Sequence, residues 1–373
     1  MNRQYRIKKR LSEKTAQIAL KPIDAIKSKS WMPYSKLIIK SDGANWVLSS
    51  IAEEMKFICD QLGIKIVDRR YLNNSKEQSV YYTSKYEALL YWQKPKHRIA
   101  FPYYHGDPST DIIFKTMFEN ICKYHNMIHR IQVSHSQMEK LILDTGIDER
   151  KVFRIPISID LDLFEFRSPE TKKKLRKQLD IPESAVVIGS FQKDGNGMGR
   201  GLEPKLIKGP DTFLSAIEIL KAEFPDLFVL LTGPARGYVI MGLERLKVPY
   251  RHLFLNSYSK INDCYNVIDL YLIASREEGG PRAILESMAS GTPLVTTKVG
   301  QAIDLVKHGK NGWMVDIEDA EGLAYWSKYV IENYASIDNV LKRGRETSEA
   351  NCYEAQIPLW RDFMEGFVSS NFS

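Results

Sequence analysis

The segment Leu270–Gly300, LYLIASREEGGPRAILESMASGTPLVTTKVG, carries the residues with the clearest chemical potential in this 373-residue chain. A buried apolar strand over Ile268–Ala274 ends at Ser275, and two acids and two glycines follow before Pro281 opens a helix. Glycines at such a turn let backbone approach a ligand, and the helix start offers unpaired N–H groups and a positive partial charge. Glu278 projects from the loop, and Glu286, eight residues on, projects from the helix about one and a half turns in. One acid can then meet a sugar while the other accepts hydrogen bonds from a vicinal diol such as a ribose. The plain alternative is a surface helix with an ordinary capping acid. Two acids at this spacing are common, and the glycine turn and the SMASGTPLV continuation are what set them apart.

Elements must hold these residues in place, and the pattern of the chain supplies them. Short apolar runs alternate with longer amphipathic stretches, as in β/α units on parallel sheets. The first half reads as strands at Lys36–Lys40, Ile64–Asp68, Arg98–Tyr103, Ile128–Ser134 and Val152–Pro156, with helices at Trp46–Leu62, Thr110–Tyr124 and Gln137–Thr145. A Lys-rich helix over Thr171–Asp180 leads into IPESAVVIGSF and a second series, with strands at Leu227–Thr232, His252–Asn256, Ile268–Ala274, Pro293–Thr297 and Trp313–Val315. Its helices are expected near Asp211–Phe224, Ile261–Asn266, Pro281–Ser290 and Glu318–Asn333. The pattern predicts an α/β protein with two doubly wound domains, a boundary near Leu161–Lys172 and a ligand cleft between the facing strand ends. The expected division is a basic arm over 1–30, domains over 31–165 and 166–345, and a terminal helix over 346–373. Trp360, Phe363 and Phe367 lie at helical spacing in that last stretch, a stripe suited to packing on the N-terminal domain.

Composition narrows the class. The chain is 43% hydrophobic and 27% charged, with no apolar run of about 18 residues and no apolar leader at its start. Cys59, Cys122, Cys264 and Cys352 stand far apart without metal-ligand spacing, so reduced cytoplasmic thiols and no metal are expected. The net charge of +7 sits in residues 1–29, where nine Lys/Arg face Glu13 and Asp24, and the remainder balances. Such an arm suits an anionic membrane surface, at about 1 kcal/mol per basic residue, or nucleic acid, or simply solvent. The balanced body and the lack of a basic/aromatic RNA motif argue against a nucleic-acid-binding protein.

With Glu278, Glu286, the EEGGP turn and ESMASGTPLVTTKVG on the page, the chain resembles the family 4 retaining glycosyltransferases of the GT-B fold, which has two Rossmann-like domains. VSHSQMEKLILDTGIDERKVFRIPISIDLDLF, VVIGSF followed by KGPDTFLSAIEIL, and LLTGPARG match the family in the same order. The resemblance runs from about Lys36 onward. It implies a UDP-, GDP- or ADP-sugar donor and no metal. It also implies a glycan or glycolipid acceptor, and transfer of a hexosyl-type sugar with retention. Surface polysaccharide, lipopolysaccharide or glycolipid synthesis would suit a cytoplasmic protein at the inner face of the cell membrane. Another sugar-nucleotide enzyme on the same architecture, an epimerase or a phosphorylase, is the alternative.

By resemblance, Glu286 would hold the ribose, and Glu278 and His105 the donor sugar. Lys208, before GPD, matches the phosphate lysine. Gly43 faces the diphosphate and acceptor, while Gly233, Arg236 and Tyr258 lie near the nucleotide. Gly279 and Gly280 bring N–H groups to the sugar or phosphates, and Arg282 is a further phosphate candidate. The chain departs from the family where a Gly-Arg usually ends the first donor-domain strand: it has FQKDGNGMGRGLEPKLIKGPD. The second phosphate cation is therefore open between Lys193, favoured by position, and Arg200.

Overall fold

A computed structural model describes residues 34–41, 47–67, 72, 77–90, 96–197 and 199–369. The first sheet contains β1 (Leu37–Lys40), β2 (Ile66–Val67), β3 (Ser79–Tyr82), β4 (Arg98–Pro102), β5 (Arg130–Val133) and β6 (Val152–Arg154). Helices α1 (Val47–Gln61), α2 (Lys85–Leu90), α3 (Ile112–Tyr124) and α4 (Ser136–Leu143) connect them. After α5 (Pro169–Gln178) comes the second sheet. Its members alternate as β7 (Val186–Ser190), α6 (Pro210–Glu223), β8 (Leu227–Thr232), α7 (Gly237–Leu246), β9 (Tyr250–Leu253), α8 (Ile261–Val267), β10 (Leu270–Ile273), α9 (Ala283–Ala289), β11 (Leu294–Thr297), α10 (Ala302–Leu305) and β12 (Trp313–Val315). Helices α11 (Ala320–Glu332), α12 (Asp338–Glu349) and α13 (Ile357–Met364) close the described chain.

Both sheets are parallel, in the orders β2-β1-β3-β4-β5-β6 and β12-β11-β10-β7-β8-β9. Parallel sheets are covered on both faces, and successive strand residues must therefore be apolar on both sides. In the second sheet Val187, Phe228, Leu230, Tyr271 and Ile273 enter one core, while Ile188, Val229, Leu231, Leu270 and Leu272 enter the other. The strand order reverses between β1 and β3 in the first sheet and between β7 and β10 in the second. Ligands of open α/β sheets bind outside the carboxyl ends of the strands at such reversals. The EEGGP turn follows β10, at one of the two.

Elements β3, α2, α7 and α10 were not anticipated. β3 is a short buried strand that follows a charged polar stretch. Helix α7 contains two glycines, poor helix formers, in GYVIMGLERL. Gly242 is there for contact: a Cβ would meet Leu214 Cδ1 of α6 at 2.2 Å. The expected helical tract 339–367 is two helices, and the second lies on the first sheet. Trp360, Phe363, Met364 and Phe367 share a core with Leu37, Ile51, Ile58 and Tyr81. Ser79 Oγ donates to Phe367 O at 2.6 Å, and Arg130 Nη2 to Glu365 O at 2.8 Å.

The two sheets meet through polar contacts at the strand ends. Ser134 Oγ donates to Gly279 O, and Ser136 donates to Asp304 from its N–H at 2.8 Å and from its hydroxyl at 2.6 Å. Ile157 N donates to Gln301 Oε1 at 2.9 Å. The residues that follow β10 are thereby held against the ends of β4 and β5.

Candidate active site

Lys208 owes its position to the turn it ends. Residues Leu206–Lys208 form one 3-10 turn, and Gly209 then starts α6 with φ +60°. A side chain there is excluded twice, by the left-handed backbone and because a Cβ would lie 1.8 Å from Ala274 O. This lets the start of α6 lie on the end of β10. Ile207 O accepts from the N–H groups of Arg276 and Glu277, and Gln192 Nε2 donates to Lys208 O at 3.0 Å. The Arg276 guanidinium grips Asp211 at 2.7 Å through two bonds and also pairs with Glu318. Within this frame Lys208 Nζ pairs with Glu278 Oε2 at 2.5 Å, and Ser275 Oγ donates to Glu278 Oε1 at 2.9 Å. Two of the expected residues, from strand ends β7/α6 and β10/α9, are thus one ion pair at the topological reversal.

Glu286 lies one helix turn into α9 and is 7% exposed. Tyr258 donates its hydroxyl to Oε1, and Tyr265 donates to Oε2 at 2.8 Å. Burial pushes the Glu286 carboxyl up, while the two phenols and Arg282 oppose that shift. Tyr258, expected near the nucleotide, is therefore brought to the same acid. Arg282 points across the seam: its Nη2 lies 3.6 Å from Glu54 Oε2 of α1. Glu54 is buried and accepts from Ser158 Oγ. The guanidinium is flanked by two buried carboxylates, Glu54 of the facing domain and Glu286.

The other lip comes from the turn after β4. His105 Nδ1 is 3.9 Å from Glu277 Oε1, and its ring meets Phe114 edge-on at 5.6 Å. Burial, followed by Lys85, Lys208 and Lys205, pushes the imidazole down to about 3, so it is neutral near pH 7. Lys85 donates from Nζ to His105 O and sits 4.1 Å from the Tyr103 ring centre and 4.7 Å from that of Phe114. Burial lowers this ammonium to about 7, with Glu277 opposing. Gly279 faces the same lip: a Cβ would meet Tyr104 Cβ at 2.5 Å. Gly280 abuts Gln301 and Ile157. The two glycines thus permit domain contact as well as exposing backbone to the cleft.

The long departure after β7 is a small hairpin. Gly195 pairs with Pro204, Asn196 N donates to Glu203 O at 2.9 Å, and Lys205 N to Asp194 O at 2.8 Å. Its carbonyls cap α7, where Gly237 N and Tyr238 N donate to Arg200 O and Gly201 O, both at 2.8 Å. The expected nucleotide role of Arg236 is corrected here. Its guanidinium is 1% exposed and donates to Ser190 O, Thr232 O, Ser190 Oγ and, at 2.9 Å, to Asp194 Oδ2. It is a buried clamp beneath the hairpin, its Nη atoms taken by these contacts and its buried Nε without a partner among the described residues. Gly233, with φ +87°, follows β8 beside Gln192 O, and its carbonyl accepts from His252 Nε2 at 2.7 Å. Arg200 is exposed, and Lys193 is half-buried near Lys205.

The structure therefore brings His105, Lys208, Glu278, Tyr258, Gly279, Gly280, Arg282 and Glu286 to the cleft between strand ends, with Gly233 and Lys193 at its β7/β8 side. Gly43 and the arm 1–29 lie outside the described residues. Lys85, Lys205, Glu277 and Tyr265 join the site without having been singled out. Lysines in polar stretches carry no signal of their own. Glu277, adjoining Glu278, could have been suspected from the doubled acid alone.

The comparisons agree with this geometry. Residues 201–347 match the family described as Glycosyl transferases group 1. The lipopolysaccharide core biosynthesis glycosyltransferase LpsE of Rhizobium meliloti is 31% identical over 172 residues, 46% of this chain and 47% of the relative. N-acetyl-alpha-D-glucosaminyl L-malate synthase of Bacillus anthracis is 26% identical over 177 residues, 47% of this chain and 43% of the relative. In each case the match spans about half the length of the relative. Anabaena HepE in complex with UDP and glucose superposes with a TM-score of 0.68 at 16% identity, over 90% of this chain and 100% of that one. A Rickettsia africae glycosyltransferase gives 0.67 at 17% identity, over 91% and 100%. The two-sheet architecture is the GT-B fold. The segment 201–347, which supplies Lys205, Lys208, Glu278 and Glu286, is thus the part of this chain that matches the group 1 glycosyl transferases.

Proposed function

We propose that the chain is a retaining glycosyltransferase that moves a hexosyl-type sugar from a nucleoside-diphosphate sugar to an acceptor hydroxyl. The observation that carries the reading is the Lys208–Glu278 pair at the reversal of the second sheet, with Glu286 buried behind it. The diphosphate would enter over Lys208, drawing the ammonium from Glu278 and freeing that carboxylate for sugar hydroxyls. Glu286 would exchange a tyrosine hydroxyl for the ribose diol. The glycosidic C–O electron pair leaves to the phosphate as the acceptor oxygen bonds from the same face, and the phosphate oxygen takes the acceptor proton. Fixed cations stabilise the charge that develops on the departing diphosphate. Neutral His105 donates to the sugar without competing for that proton. Glycosidases differ in flanking the scissile bond with two carboxylates; here Glu278 and Glu286 have separate tasks.

UDP, with glucose, is bound in the HepE complex, which supports a nucleotide-sugar donor here. LpsE, a lipopolysaccharide core enzyme by its name, supports a cell-surface glycan or glycolipid acceptor. The reading extends to an anionic membrane surface at the cytoplasmic face as docking partner of residues 1–29, given their charge. Co-sedimentation with phosphatidylglycerol vesicles tests that part, and binding unchanged by deleting the arm would reject it. The main test incubates the full chain with UDP-, GDP- and ADP-sugars, with and without lipopolysaccharide-core and glycolipid acceptors. Acceptor-dependent release of nucleoside diphosphate and a product with the donor's anomeric configuration are expected. An inverted product would reject retention, and conversion of the donor without transfer would indicate an epimerase.

A further inference from the structure

The mouth of the cleft is rimmed by apolar side chains that the core does not take up. We propose that this rim seats the alkyl chain of a lipid-linked acceptor, which presents the acceptor hydroxyl to the site. The inference rests on the glycosyltransferase reading and names the acceptor class of that same site.

Three observations carry it. The first is exposure. Ile112 and Ile113 open α3 and are 73% and 44% exposed, and Tyr86 of α2 is 38% exposed. On the facing lip Leu206, in the turn that carries Lys208, is 55% exposed. The core of the first sheet takes Met117 and Ile121 from α3 and leaves the two isoleucines out. A helix start favours polar caps and acids, so isoleucine there serves neither the helix nor the core. Exposed apolar side chains gathered in one place mark a contact surface.

The second observation is continuity with the site. Phe114, the next residue of α3, meets the His105 ring edge-on at 5.6 Å, and its ring centre lies 4.7 Å from Lys85 Nζ. The same Nζ is 5.6 Å from the Tyr86 ring centre. Burial, then Asp111 and Glu277, push the Tyr86 phenol up, which places Tyr86 between the cap of α3 and the acid after β10. Lys205 and Lys208, on either side of Leu206, both act on His105. An apolar path therefore leads from His105 over Phe114 to Ile113 and Ile112, with Leu206 across the mouth. The third is order. Asp111 Oδ1 accepts from Ile113 N at 2.6 Å, and Thr116 Oγ1 donates to Ile112 O at 2.9 Å. The isoleucines are thus fixed before a ligand arrives, which lowers the entropy lost on binding.

Other occupants fit the rim less well. Four side chains fall far short of the roughly 20–30 residues that each partner gives to a stable contact between copies. Asp107 and Asp111 outnumber Lys115 around the isoleucines, so an anionic bilayer gains no charge attraction at this lip. A single alkyl chain asks only for apolar area.

The test measures, by calorimetry on the full-length protein, the binding of octyl and methyl glucosides and mannosides below the micelle concentration, with UDP, GDP and ADP titrated separately. The octyl chain is expected to tighten binding about tenfold or more over the methyl glycoside, the effect of covering part of two isoleucines. The double variant Ile112→Ser/Ile113→Ser should lose most of that gain, with nucleotide binding within about twofold and an unchanged Tm. Met241→Ser, at an equally exposed apolar position on α7, should keep the gain. An octyl chain that adds nothing, or a gain that survives the double variant, would overturn the inference. Self-association, or binding to phosphatidylglycerol vesicles, that the double variant abolishes while the octyl gain persists would overturn it in favour of a second copy or a bilayer. Nucleotide binding without an octyl gain removes this inference and leaves the glycosyltransferase reading standing. An octyl gain in a chain that binds none of the three nucleotides removes that reading, and the acceptor assignment with it.

Discussion

Glu286→Gln separates ribose recognition from chemistry, because the substitution keeps volume and removes charge. In the present structure each carboxylate oxygen accepts one phenolic hydroxyl, from Tyr258 and Tyr265. A ribose diol bound to the same carboxylate would make two charge-assisted hydrogen bonds, each worth about 1.5–3 kcal/mol. Displacing Tyr258 gives back about 1 kcal/mol, and an amide retains one acceptor. The net loss is then about 2–4 kcal/mol, a rise of roughly 30- to 1000-fold in donor Kd. Because the contact is the same in ground and transition states, kcat at saturating donor should change by less than about threefold. The glutamine leaves one buried phenol without an acceptor, so a fall in Tm is expected, and calorimetric titration must be run well below it. A folded Glu286→Gln protein whose donor Kd stays within threefold of wild type would refute the ribose assignment.

Three further outcomes follow from the contacts around the site. Gly209→Ala puts a methyl group on Ala274 O in a left-handed backbone, and should cost more than about 2 kcal/mol in urea unfolding; a loss under 0.5 kcal/mol would contradict the close approach. Asp194→Asn leaves the Arg236 guanidinium buried without its carboxylate and should cost about 3–5 kcal/mol; unchanged unfolding would mean that the hairpin is not clamped as described. Lys85 is lowered to about 7, so the unfolded chain binds more protons than the folded chain between about pH 7 and the ordinary lysine value, and its contribution makes stability rise with pH across that window. Lys85→Met should flatten the rise by on the order of 1–3 kcal/mol and be the more stable protein at pH 7; identical pH slopes would contradict the buried, charged lysine.

The fold was legible where strands are buried on both faces. LFVLLT and LYLI are continuous apolar runs because each side of the second sheet has its own core. Helix α7 was hidden by its glycines, of which Gly242 makes room for Leu214 and Gly237 for Arg200 O, both distant in sequence. Glu278 and Glu286 were legible because a strand end, a glycine turn and a helix start fix their spacing locally. The roles of their neighbours were not. Glu277 adjoins Glu278 yet turns to His105 and Lys85 of the other domain, a direction that depends on how the domains meet. Arg236 has the type and position of a phosphate ligand, and only its burial under the hairpin reveals a structural clamp.

The central claim is that the cleft around Lys208, Glu278 and Glu286 binds a nucleoside-diphosphate sugar. Isothermal titration of the full-length chain with UDP-glucose, GDP-mannose and ADP-glucose tests it most directly. One base should bind with a Kd of roughly 1 μM to 1 mM, and the binding should be lost in Glu286→Gln and weakened in Lys208→Ala. Binding of none of them at millimolar concentration, or binding unaffected by both substitutions, would contradict the account.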